Sequence, residues 1–99
     1  MVVLLAALHG GDEAYGSAIR DDIERRIGRD VSRGAVYVTL DRLEEKGLLT
    51  SRLGGATSER GGRPKRLFQV TPAGVKAIRH SVSVLSRMAK GLEPVIGKL

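Results

Sequence analysis

The residues whose types and spacing could do chemistry fall into two clusters, and the chemistry is ion pairing and hydrogen bonding to a polyanion. The first cluster is Ser32, Arg33, Gly34, Tyr37, Val38 and Arg42, within the run Ser32 to Gly47. The second is Arg60, Arg63 and Lys65, within a glycine-rich stretch. Arginine and lysine bind phosphate oxygens, and arginine can also reach a guanine edge. A tyrosine placed beside them can rest its ring on its own domain and direct its hydroxyl to a phosphate. For enzyme chemistry the chain offers very little. His9 and His80 form no ligand set or triad with Cys, Asp or Glu, no phosphate-loop or zinc motif is present, and there is no cysteine. The sequence therefore predicts neither catalysis nor a metal or cofactor.

The element that must position the first cluster is a helix. Ser32 is a good N-cap, because its hydroxyl can accept an orphan N–H of the first turn. Val36, Leu40 and Leu43 recur at the spacing that puts them on one face. Gly47 closes the helix, since glycine tolerates the left-handed conformation that ends many helices. On the other face sit Gly34, Val38, Asp41, Arg42 and Glu45, flanked by Arg33 and Tyr37. The first two turns of that face carry no acid, and Glu44 and Glu45 are held at the far end. A small, basic, acid-free helix tip is shaped to enter a DNA groove.

The other elements follow in order. Met1 to Leu8 is almost wholly apolar and runs into His9-Gly10-Gly11, so it reads as a first helix buried on most sides and stopped by glycines. Core residues begin at once, as they would if the chain started inside a helix. Gly16 to Ile27 repeats isoleucine at Ile19, Ile23 and Ile27, a stripe along a second helix. Asp21, Asp22 and Glu24 line its outer side, which reads as a solvated surface away from phosphates. Gly28 ends this helix, and a short connection to Val31 gives helix-turn-helix geometry. Leu48 to Leu53 and Lys65 to Val70 read as short strands. Gly54 to Pro64 between them, rich in glycine, reads as a mobile hairpin tip. From Arg52 to Arg66, five bases against the single acid Glu59 leave a local excess of four positive charges.

Thr71 caps a last helix with Pro72 at its first position, where the missing N–H costs nothing. Val75, Ile78, Val82, Leu85, Ala89 and Leu92 then alternate steps of three and four, a heptad seam suited to another helix. Val75 and Ile78 dock on their own domain, whereas Val82, Leu85, Ala89 and Leu92 reach beyond it and predict a homodimer. Gly91 and Pro94 end or break this helix. The expected architecture is mainly α with a small β-hairpin: a winged helix-turn-helix over residues 1–70 and a dimerisation helix with its tail over 71–99.

Size and composition agree. Ninety-nine residues make one small domain. A formal charge of +6 and a pI near 10.3 point to a polyanionic partner. Aromatics at 3% are too sparse for single-strand recognition by base stacking, which leaves duplex DNA. Val2 to Leu8 is too short to span a bilayer and lacks the positive region of a signal peptide, so a cytoplasmic location is expected.

The chain resembles the PadR family of bacterial transcriptional regulators, in the short form with a single C-terminal helix. The resemblance rests on Tyr15-Gly16-Ser17-Ala18-Ile19, on Ser32 to Leu40 with Arg42 to Leu48, on Gly61-Gly62-Arg63-Pro64-Lys65-Arg66 and on Leu67 to Gly74. It implies a winged-helix homodimer on operator DNA, usually a repressor, with release by a small molecule or stress signal. Ser32, Gly34 and Tyr37 match the family's DNA-facing motif by position. Arg33 and Val38 stand where the family usually has proline, and Ser17 where it often has tyrosine; Arg33 would add a DNA contact. Some short members hold planar drugs between tryptophans, a mode this tryptophan-free chain does not support. The competing reading from the residues alone is a protein-interaction module whose basic surface meets an acidic protein.

Overall fold

Side-chain caps at Ser32 and Thr71 open two of the helices, and left-handed glycines, Gly28 and Gly47, follow the ends of two. The computed structural model describes residues 1–54 and 65–97. Its elements are α1 (Val2–Gly10), a 3-10 turn (Gly11–Glu13), α2 (Gly16–Ile27), α3 (Arg33–Glu45), β1 (Leu49–Leu53), β2 (Arg66–Val70), α4 (Pro72–Ala89) and α5 (Glu93–Ile96). The architecture is thus mainly helical with one two-stranded antiparallel sheet, as the sequence predicts. The hairpin tip, with Arg60 and Arg63, lies outside the described residues.

The core gathers one face of every long element. Leu4, Ala6 and Ala7 of α1, Ile19 and Ile23 of α2, Val36 and Leu40 of α3, Leu49 of β1, Phe68 of β2 and Ile78 of α4 form a single buried cluster with Ala14. The antiparallel register pairs Leu49 with Val70 and Leu53 with Arg66. The other edge of β2 is met by the segment before α2: Tyr15 bridges Leu67, and Phe68 N–H donates to the Ala14 carbonyl at 2.9 Å.

Three expectations need correction. Ile27 is 50% exposed, because the last turn of α2 runs past the edge of the core before Gly28 takes a left-handed φ of 74°. α1 is less enclosed than expected, with Val2 and Leu8 facing outward. The outer side of α2 is no plain solvated surface either, since Asp22 is 9% exposed. Its Oδ1 accepts from Arg25 Nη2 at 2.6 Å and from Arg26 Nε at 3.0 Å.

α4 starts as expected, with the Thr71 hydroxyl accepting from Gly74 N–H at 3.0 Å. The same hydroxyl donates to the Gly47 carbonyl at 2.7 Å, and Thr71 N–H donates to the Leu48 carbonyl at 3.1 Å. Gly74 is required here: a Cβ would stand 2.7 Å from Val70 Cγ1 and collide with the Leu48 carbonyl. Beyond Ile78 the helix leaves the core. Its 18 residues reach about 27 Å. The Cα radius of gyration, 15.6 Å, accordingly exceeds the roughly 13 Å of a compact domain this size. The helix ends at Ala89, Gly91 adopts a φ of 90°, and Leu92 becomes the N-cap of α5 rather than the last seam position on α4.

Burial alone would raise the pKa of Asp22, but the hydrogen bonds and charges of Arg26 and then Arg25 outweigh it and hold the carboxyl below its ordinary value. Its stabilising effect is therefore full above the unfolded-state pKa and is lost as pH falls through the depressed native one. Asp22→Asn should lower the melting temperature at neutral pH, and the difference from wild type should vanish at the acid end of a pH series.

Candidate nucleic-acid interface

The turn that presents α3 is closed by two side chains of α2. Arg20 Nε donates to the Val31 carbonyl at 2.8 Å, and Val31 N–H donates to Glu24 Oε2 at 2.8 Å. Both backbone groups of Val31 are thereby satisfied, which fixes the angle at which the chain enters the next helix. Ser32 then caps α3 as the sequence predicts, accepting from Ala35 N–H at 3.3 Å. At the other end Gly47 N–H reaches the Glu44 carbonyl and Leu48 N–H the Leu43 carbonyl, each at 2.9 Å. That is the paired bonding of a Schellman end, with Gly47 at a φ of 75°.

Val36 at 1% and Leu40 at 0% exposure root α3 in the core. The opposite face presents Ser32, Arg33, Gly34, Val38 and Arg42 to solvent. No acid occupies the first turn. The unpaired N–H groups and the positive end of the helix dipole therefore face outward without a competing carboxylate. Among the described residues, neither Arg33 nor Arg42 has an ion-pair partner. Tyr37 is half-buried, its ring against Gly16 at the start of α2.

The hairpin stands beside α3. Lys65, at its base, is exposed; its Nζ lies 5.1 Å from the centroid of the Tyr15 ring, and its carbonyl accepts from Gly54 N–H at 2.6 Å. Arg66, which the sequence groups with the free basic residues, instead pairs with Asp41 and Glu44 of α3. These carboxylates outweigh its partial burial and raise its pKa above the ordinary value. That network escapes sequence reading because the partners are 22 and 25 residues apart.

The predicted seam residues lie together at the far end of the molecule. Leu85 is 61% exposed, Val82 and Leu92 are exposed, and Ala89 is half-buried. With Ser86, Met88 and Ile96 they line one open apolar groove of about 680 Å³. Met88 is 73% exposed and was not among the predicted seam residues. The break at Gly91 folds Leu92 and Ile96 back onto the same groove. Among the described residues no group of His, Cys, Asp or Glu could hold a metal ion, and no helix is long and apolar enough to cross a membrane.

A helix-turn-helix whose second helix is exposed, followed by an antiparallel hairpin packed beside it, defines a winged-helix fold. The chain belongs to the PadR-like family of transcriptional regulators, whose model matches residues 4–80. It is 35% identical over 83 residues to the transcriptional regulator Rv3488 of Mycobacterium tuberculosis, covering 83% of this chain and 73% of that one. Among solved structures it resembles a PadR-like transcriptional regulator of Bacillus cereus, BC4206. The TM-score is 0.74 at 16% identity, over 99% of this chain and 92% of that chain. It also resembles F93 from STIV, a winged-helix DNA-binding protein, with a TM-score of 0.70 at 18% identity over 91% of this chain and 89% of that one.

The seat of Tyr37 yields a direct test. A Cβ at Gly16 would stand 2.6 Å from the Tyr37 ring atom Cε1, so Gly16→Ala must displace the ring. Urea denaturation should show a loss of about 1–3 kcal/mol, the ordinary cost of overpacking.

Proposed function

We propose that this regulator is a sequence-specific repressor that binds a palindromic duplex operator as a homodimer in the cytoplasm, without catalytic activity. The observation that carries the reading is the exposed first half of α3, free of acid, with Arg33 there and Arg42 in the last turn both unpaired among the described residues. In this reading the N-terminal turns of α3 enter the major groove, with Ser32, Gly34 and Tyr37 at the phosphates and Arg33, Val38 and Arg42 toward base edges. An exposed valine suits a thymine methyl group, and arginine suits guanine. Arg60, Arg63 and Lys65 hold neighbouring backbone from the wing, where affinity needs charge more than fixed geometry.

Val82, Leu85, Ala89 and Leu92 form the dimer interface within residues 71–99, supported by the exposed apolar groove that they line. A two-fold axis there would carry the two α3 helices to half-sites about one helical turn apart. Release by a small-molecule effector bound between the subunits completes the scheme.

The test is fluorescence anisotropy on the DNA upstream of the protein's own gene, across a salt series. Affinity should fall on the order of a thousandfold between about 50 and 200 mM salt, as several phosphate contacts require. Arg33→Ala should shift sequence preference, whereas joint replacement of Arg63 and Lys65 by alanine should weaken all duplexes about equally. A wing variant with full affinity and an unchanged salt slope would refute the wing assignment.

The assembly is tested separately. Light scattering should report a dimer for the wild type and a single chain for V82D/L85E. The monomeric variant should lose operator affinity even though α3 is untouched.

A further inference from the structure

The hairpin contributes Arg66 to the side of the molecule read above as facing DNA, yet the guanidinium is engaged within the chain. Nη1 donates to Asp41 Oδ1 at 2.9 Å, Nη2 to Glu44 Oε1 at 2.5 Å and Nε to Ser51 Oγ at 3.1 Å. Ser51 Oγ also lies 2.8 and 2.9 Å from the two Glu44 carboxylate oxygens. The guanidinium carbon stands 4.9 Å from the centroid of Phe68, a ring buried in the core. Every nitrogen of the group thus has a partner, and one of its faces lies against an aromatic ring.

The charge balance of this cluster decides what it does near a phosphate. Two carboxylates against one guanidinium leave it net negative, so it offers no attraction to DNA. Asp41 follows Val38 by three residues, on the exposed side of α3, and its side chain is 56% accessible. Left uncompensated, Asp41 and Glu44 would set two negative charges about two and three turns behind the helix tip, on a helix that must approach phosphates.

Resting on the DNA-binding reading and deepening it, we infer that Arg66 is a positioning residue, not a phosphate contact: it neutralises Asp41 and Glu44 on α3 and fixes the hairpin to that helix. The two roles separate cleanly. An arginine bound to phosphate releases counterions, so its loss makes the salt slope shallower by about one. When an arginine acts through the two acids, removing them along with it restores affinity and slope together.

The experiment uses the full chain and a fluorescein-labelled mixed-sequence duplex long enough for two half-sites, read by anisotropy over a salt series. R66Q should bind about tenfold more weakly at low salt, with the gap closing as salt screens the exposed carboxylates. D41N/E44Q/R66Q should return to within about threefold of wild type, with the wild-type slope. A triple variant whose slope stays shallower than wild type by about one would overturn the inference, as would one that binds no better than R66Q. Should melting curves show R66Q unfolded, the triple variant, which has no unpaired carboxylate, carries the comparison with wild type alone. Wild-type affinity and slope then support the inference, and a loss of either overturns it. A wild type that ignores every duplex would remove the DNA-binding reading and this inference together. A wild type that binds beside a triple variant that does not recover would remove only the role of Arg66.

Discussion

The interior seat of α3 is the constraint on which the rest depends. Val36 and Leu40 are buried among residues of α1, α2 and the hairpin. Each such side chain contributes about 1.5–3 kcal/mol of apolar burial, more than any single polar contact on the opposite face. Because a helix turns by a fixed angle per residue, this choice also decides that Arg33, Gly34, Val38 and Arg42 point outward. The outer face needs no stabilising contacts of its own, which leaves its residue types open for a ligand.

Around that seat the charges are sorted by what they hold. Arg20 and Glu24 secure the backbone of the turn, Arg25 and Arg26 hold Asp22, and Arg66 holds Asp41 and Glu44. Net charge alone would have assigned all of these bases to a polyanion. The pairing pattern divides them into those spent on the fold and those, such as Arg33 and Arg42, left on the open face.

The helix boundaries were legible in the sequence because their causes are local. Ser32, Gly28, Gly47 and the pair Thr71-Pro72 each act within a turn of where they stand, and each appears where the sequence put it. The exposed face of α3 followed from the same periodicity. What stayed hidden depends on segments that meet only after folding. The bridge from Tyr15 to Leu67 has no local signature. The burial of Asp22 has none beyond its two arginine neighbours. The exposure of Ile27 reflects where the core stops rather than any property of isoleucine. The last seam position reaches the groove by a route the heptad count does not describe, because the break at Gly91 makes Leu92 the N-cap of α5 rather than a residue of α4.

The knot of hydrogen bonds at Gly47, Leu48 and Thr71 joins the tail of α3 to the head of α4 through backbone carbonyls, with Gly74 admitting no slack. One helix ends and the other begins against the same two residues, so there is no free pivot between them. In a two-fold assembly through α4, the pair would behave like the arms of a caliper. A small tilt where the arms cross would change the gap between the tips, and the gap could not change without that tilt.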